Sequence, residues 1–304
     1  MTLIVLAATM GNRYGGLKQL EGIGPCGETI LDYSVYDAAR AGFSKVIFVI
    51  SRHFETEFKQ RVAGKYEGLI EVGYVYQEVE MVPEPLRSPK RNLLWGSAHA
   101  VLMAEEAVDG PFGVINAVNF YQRESFDLLY DRLRRLDADG EEAFLIRYRL
   151  ANVLPENASV TRGICQLTSE GDLVSVVDRQ GVERVGGSPM CTDEWGKAEP
   201  LDPDAWVSMN MWGFSPVVFR SLHTAFDAFV EEYGRDLKAH YSIPAFVNER
   251  IRQGLRVRTV ETPARWMGLV SAEDRSQAIL RIGELTRKGV YPVPMFLGEN
   301  NEPI

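Results

Sequence analysis

The chain has 304 residues, 45% hydrophobic and 25% charged, with 33 Lys and Arg set against 42 Asp and Glu for a formal net charge of −9. That composition excludes wholesale disorder as well as collagen-like and coiled-coil character. The acidic balance argues against a general nucleic-acid binder, which needs a basic surface to replace phosphate counterions, but leaves room for a small cationic pocket holding one phosphorylated ligand.

No run of about 18 apolar residues occurs, so the sequence predicts no membrane span. Leu3-Ile4-Val5-Leu6-Ala7-Ala8 lacks a basic stretch ahead of it and reads as a first buried strand, not a signal peptide. Apolar residues at helical spacing from Thr29 to Ala41, with Gly42 behind them, predict a helix and its stop. Val46–Ile50 reads as a second buried strand, Phe54, Phe58 and Val62 as one helical face, and Val72–Tyr76 as a third strand. A helix over Ser97–Val108, a strand over Phe112–Ile115, a helix through Phe126, Leu129, Leu133 and Leu136, and a strand over Ala143–Ile146 follow. This alternation predicts an α/β fold with a Rossmann-like, doubly wound, mostly parallel sheet.

The pattern then changes. Ile164–Leu167 and Leu173–Val177 flank Ser169-Glu170-Gly171-Asp172 as a hairpin. Gly186–Asp204, rich in Gly, Pro and Asp, reads as a long surface loop. A strand at Val207–Phe214, a helix through Leu222, Phe226, Phe229 and Val230, a helix after Pro244, a strand at Val257–Val260 and a helix from Ala272 complete the chain. We read one domain over residues 1–304, a regular α/β half (1–150) followed by a less regular half (151–304) that adds a lid or acceptor-binding part. The three widely spaced cysteines, Cys26, Cys165 and Cys191, form no Cys-x-x-Cys pair. They argue against structural zinc or a disulfide framework and fit a cytoplasmic location.

The most informative segment runs from Leu6 to Leu20. A buried strand ends, glycines at 11, 15 and 16 follow, and Arg13 and Lys18 stand five residues apart. Glycine lets backbone N–H groups approach an anion, and the two cations supply charge where phosphate oxygens would sit; a surface loop with two solvated cations is the alternative. The segment is neither the dinucleotide Gly-x-Gly-x-x-Gly nor a Walker loop ending Gly-Lys-Ser/Thr, which disfavours a nicotinamide-dependent oxidoreductase.

The segment resembles the nucleotidyltransferases of the sugar-1-phosphate pyrophosphorylase type, whose first strand runs into Leu-Ala-Ala-Gly-x-Gly-x-Arg followed by a Lys. Trp95-Gly96-Ser97-Ala98-His99-Ala100-Val101 is similar to that family's Trp-Gly-Thr-Ala-His-Ala-Val. Leu154-Pro155-Glu156-Asn157, Val160–Cys165, Val207–Phe214 and Arg265-Trp266-Met267-Gly268 resemble later segments in the same order. The resemblance implies the nucleotide-diphospho-sugar transferase fold. It also implies attack of a sugar 1-phosphate or related phosphate on a nucleoside triphosphate, with loss of pyrophosphate, in a cytoplasmic protein of possible homo-oligomeric state. By the same resemblance Arg13 and Lys18 would hold the triphosphate and stabilise its transition state, and Leu6, Ala8 and Gly11 would line it. Gln77, Gly96 and Ser97 would lie by the base, Asp178, Asn210 and Lys238 on the acceptor side. Mg²⁺ would arrive with the nucleotide.

The chain departs from the family where the metal is expected. Val118 stands for the first of two aspartates and Asn119 for its neighbour, leaving Asn119 a weak, neutral candidate ligand; Glu78, Glu80, Asp178 and Asp274 are the carboxylates that could substitute. Thr9 replaces a loop glycine, Leu93-Leu94 a Lys-Pro pair, and Asp178 a glutamate. A second function therefore stands beside transfer: a catalytically degenerate relative that binds a nucleotide or nucleotide sugar as sensor or regulatory subunit. None of the histidines 53, 99, 223 and 240 is paired at His-x-x-x-His spacing, and His99 reads as a packing or capping residue. A phosphate nucleophile needs no general base.

Overall fold

The computed structural model describes residues 1–8, 20–62, 64–155, 158–192, 196–269 and 272–296. The opening strand β1 (Thr2–Leu6) lies between β2 (Lys45–Ile50) and β4 (Phe112–Asn116), and β3 (Glu71–Tyr76) flanks β2; all four run parallel. The side chains of β1, β2 and β4 are buried on both faces, as the continuous apolar runs require, whereas those of the edge strand β3 are half-buried or exposed. Leu3, Val5, Val46, Phe48 and Ile50 enter one core layer, with helices α1 (Ile30–Ala41) and α4 (Arg123–Leu133). The intervening Ile4, Ile47 and Val49 enter the other, with α3 (Ser97–Leu102), α5 (Val218–Tyr233) and α6 (Ile243–Arg252). The period of two along each strand thus assigns residues to layers.

Helix α1 starts and stops where the sequence placed it. Thr29 Oγ1 accepts from the Asp32 N–H at 3.2 Å while the Asp32 carboxylate accepts from the Thr29 N–H at 2.6 Å, a reciprocal capping box. Gly42, at φ 114°, closes the helix by donating to the carbonyls of Ala38 and Ala39. The short helix α2 (Glu55–Val62) turns Phe58 and Val62 into the core, and α7 (Ala272–Arg287) is the last helix described.

The mostly parallel sheet expected from the alternation holds only for β3-β2-β1-β4. Beyond β4 the sheet is mixed: β11 (Trp206–Phe214) runs antiparallel to both β4 and β6 (Ala143–Arg149), and β12 (Val257–Glu261) parallel to β6. Strands β7 (Val160–Leu167) and β8 (Leu173–Val185) form the hairpin predicted around Gly171, and β7 also pairs with β11. A single pairing of Val257 with Leu173 joins β12 to β8, so the sequence of pairings β6-β11-β7-β8-β12 returns to β6. The β7–β8 pair is antiparallel because a hairpin joins it, whereas β11 meets β4 and β6 through long connections that leave its direction free.

Two further expectations are corrected. Gly186–Asp204 is not one surface loop, since β9 (Ser188–Thr192) and β10 (Ala198–Pro200) extend the sheet edge. Gly186 and Gly187 have φ 60° and 85° and join the paired residues Val185 and Ser188, the two left-handed positions of a tight hairpin. The helix expected over Ser97–Val108 stops at Leu102, with a separate 3₁₀ turn at Glu105–Ala107. Two acidic residues at a helix carboxyl end oppose its macrodipole, and Glu105 instead meets His223 at 2.6 Å. A two-stranded pair that periodicity did not reveal, β5 (Asn119–Phe120) with β13 (Met267–Gly268), sits beside the end of β4. Among the described residues no helix is long and apolar enough to cross a membrane.

Candidate nucleotide and acceptor site

Chain direction reverses its order of addition at β1, with β2 to one side and β4 to the other, and open α/β sheets bind ligands beyond the carboxyl ends of strands at such a point. A cavity of about 810 Å³ lies there. It is lined by Leu6–Ala8 after β1, Ser51 after β2, Gln77 and Glu78 after β3, Asn116–Val118 at β4, and Gly96 and Ser97 opening α3. The strand ends are tied together by backbone bonds from Ala7 to Val49, from Gln77 to Ile50 and from Ala117 to Leu6.

Gln77 is 2% exposed, and its Nε2 donates to the Gly96 carbonyl at 2.8 Å and lies 3.2 Å from His99 Nδ1. Because the carbonyl can only accept, the amide nitrogen must face it, and Nδ1 of His99 is then the acceptor. His99 is fully buried and stacked on Phe226, and burial lowers its pKa to about 4, so it is a neutral packing residue and not a base. Gly96 holds φ 104°, and a Cβ there would run into the Tyr241 backbone. Its glycine is required by that approach as well as by its dihedral. Trp95 is anchored by donation to the Val79 carbonyl at 2.8 Å and covered by the Arg91 guanidinium.

A second cavity of about 330 Å³ adjoins the first, the two sharing Ser97 and Asn116, and it is lined by Asp178, Asn210, Asn119, Arg162 and Trp266. Asn210 sits at the irregularity where β11 passes from pairing with β7 to pairing with β4, at φ 60°. A bulge of this kind re-aims a side chain out of the ladder. Asn210 Oδ1 accepts from the Trp212 indole and its Nδ2 donates to Asn116 Oδ1, both at 2.8 Å. Gly163 pairs with Asp178 across β7 and β8, and a Cβ on it would stand 2.8 Å from Val176 Cγ1. Arg162 is 6% exposed, stacks on Trp266 and donates to the carbonyls of Val153 and Thr161; burial lowers its pKa to about 10.

Of the residues singled out in the sequence, Leu6, Ala8, Gln77, Gly96 and Ser97 gather in the larger cavity, Asp178, Asn210 and Asn119 in the smaller. Lys238 is exposed and lines neither, whereas His240 lines the larger one. Gly11, Arg13 and Lys18 lie outside the described residues. Asn116 and Arg162 were missed. Only their places at a strand end and on a hairpin strand could have flagged them, because the contacts that matter come from β11 and from residue 266. Cys165 is buried, which pushes its thiol up to about 12 and leaves it inert.

The residues present do not fit a protein-held Mg²⁺. That ion takes hard, mostly anionic oxygens, and Val118 offers none. Among the described residues, the carboxylates lining the cavities are Glu78 in one and Asp178 in the other, with Glu78 Oε1 already accepting from Ser51 and from the Arg52 N–H. Glu80 and Asp274 line neither cavity. Among the described residues no three His, Cys, Asp or Glu side chains gather, and the sequence from residue 9 to 19 has no carboxylate.

No protein-family profile matches the chain, and no curated protein matches it. Solved structures do. An inositol-1-phosphate CTP transferase from T. maritima superimposes with a TM-score of 0.61 at 14% identity, over 93% of this chain and 96% of that one. A protein from Bacillus anthracis described as a glucose-1-phosphate thymidylyltransferase, in complex with sucrose, gives 0.62 at 13% identity, over 93% and 95%. A UDP-glucose pyrophosphorylase complexed with UDP-glucose gives 0.60 at 14%, over 93% and 98%. The chain has the fold of these nucleotidyltransferases across nearly its whole length.

Proposed function

We propose that the larger cavity receives a nucleoside triphosphate and the smaller a phosphorylated small molecule of the sugar 1-phosphate type. A phosphate oxygen of the latter attacks the α-phosphorus, the bond from that phosphorus to the bridging oxygen breaks, and pyrophosphate leaves with the electron pair. The observation that carries this reading is the pair of adjoining cavities at the switch point, meeting at Ser97 and Asn116. Catalysis of this kind is chiefly positioning and charge neutralisation. Arg13 and Lys18 face the triphosphate in this reading, with Leu6, Ala8 and Gly11 against it and Gln77 and Gly96 beside the base. Asp178 and Asn210 take acceptor hydroxyls, and any Mg²⁺ comes on the nucleotide's own phosphates. We place the reaction in the cytoplasm, in one 304-residue domain.

A second reading is favoured by Val118 and the carboxylate-poor cavities: the same site binds nucleotide or nucleotide sugar and transfers nothing. Pyrophosphate release with a panel of triphosphates and phospho-sugars separates the two. Turnover on the order of tens per second, within the ordinary enzymatic range, establishes transfer and removes the binding-only reading. Micromolar nucleotide binding without release removes transfer.

A further inference from the structure

Hydrogen-bond polarity at the junction of the two cavities is fixed from outside. The Trp212 indole can only donate, so Asn210 must present Oδ1 to it and Nδ2 to the other side, at 2.8 Å from Asn116 Oδ1. Asn116 therefore spends its oxygen on Asn210. Its Nδ2 bonds to no described residue, is not sealed from solvent, and belongs to a side chain lining both cavities. Tyr121 fixes the neighbouring amide the same way. Its hydroxyl donates to the Met209 carbonyl at 3.0 Å and accepts from the Asn116 backbone N–H at 3.0 Å, so it takes a third bond only from the Asn119 Nδ2, also at 3.0 Å. Turning either amide over would set N–H against N–H or lose a buried bond.

We propose that this chain grips the phosphates of its nucleotide without a protein-bound divalent cation, the Asn116 amide N–H standing at the cavity junction two residues before Val118, the position at which the family resemblance expects the metal-holding carboxylate. The inference rests on the nucleotide-binding part of the function proposed above. An amide N–H donates to a phosphate oxygen and turns a positive edge towards a cation. The same atom therefore favours the anion and disfavours the metal. Val118 offers no oxygen that could reverse this polarity, and the neighbouring Asn119 already turns its amide nitrogen to the Tyr121 hydroxyl.

Calorimetric titration of the full chain with UTP, dTTP, CTP, ATP and GTP, in EDTA and in excess Mg²⁺, tests it. The tightest-binding triphosphate is expected to keep its Kd within about threefold between the two conditions. Asn116→Asp, nearly isosteric and still able to accept from Asn210, should bind that triphosphate about tenfold more weakly in EDTA and recover in Mg²⁺. Asn116→Ala should weaken the triphosphate about tenfold and the corresponding nucleoside less than about threefold. A wild-type affinity that falls about tenfold in EDTA overturns the inference while leaving nucleotide binding intact. So does an Asn116→Asp protein that binds in EDTA as the wild type does. Absence of binding by every triphosphate in both conditions overturns the functional reading and this inference together.

Discussion

Asp37, fully buried on α1, accepts from the Tyr291 hydroxyl at 2.7 Å while its Oδ1 has no partner. Burial dominates and raises its pKa to about 7, against the lowering effects of that hydrogen bond, Arg123 and Arg40. A carboxyl whose folded pKa lies above its unfolded one stabilises fully below the unfolded value, near 3.9, and loses that contribution as pH rises through the folded value. Asp37→Asn keeps an acceptor for Tyr291 and never ionises. Its melting temperature should match the wild type below about pH 4, gain on it as pH rises towards about 7, and hold a constant lead above that. A shift of roughly three pKa units corresponds to a lead on the order of 4 kcal/mol. Melting curves taken across that range check the sign, and a lead that shrinks with pH contradicts it. The role proposed for Asn116 rests likewise on what its neighbours leave unpaired.

At the scale of elements, local signals were legible where the chain satisfies its own backbone. Gly42 marks the end of α1 in the sequence and does so in the structure, where the Thr29–Asp32 capping box defines the other end; cap bonds connect residues at most four apart. Thr29→Ala should cost about 1 kcal/mol, read as a lower denaturation midpoint with unchanged denaturant slope; an unchanged midpoint would show that the Lys65 and Tyr66 bonds to Asp32 suffice to hold that turn. The β8–β9 hairpin was legible too, in Gly186-Gly187, but the surrounding Gly, Pro and Asp pulled the reading towards loop. The two-residue strands β5 and β13 carry no period at all. Each exists because the other lies opposite, with Gly268 against Asn119 and Met267 against Phe120.

At the scale of the whole molecule, the proposed function depends on bringing strand ends together from positions 6 to 8, 51, 77 and 116 to 118 and on setting β7, β8 and β11 beside them. Ligand that binds only the folded chain raises its stability by about 2.7 kcal/mol at a hundredfold excess over Kd. A thermal-shift screen over triphosphates and phospho-sugars should therefore give a clear rise for at least one triphosphate. Arg13→Ala should lose most of that rise and keep the rise given by the phospho-sugar. Equal loss on both would contradict the place proposed for Arg13.

The sequence by itself determined strands β1 to β4 and β6, helix α1 with its Gly42 stop and the β7–β8 hairpin, which follow from apolar period and from bonds between near neighbours. The grouping of Leu6, Ala8, Gln77, Gly96 and Ser97 was legible only through the resemblance to a known family. Only the tertiary structure decided that the sheet turns antiparallel after β4, that Asn210 sits where β11 changes partner, and that Asn116 faces the junction with a hydrogen-bond donor. Those features come from pairings between residues about a hundred positions apart, such as Asn116 with Asn210. No local pattern encodes which of two chemically similar ends of an amide a distant indole will turn outward.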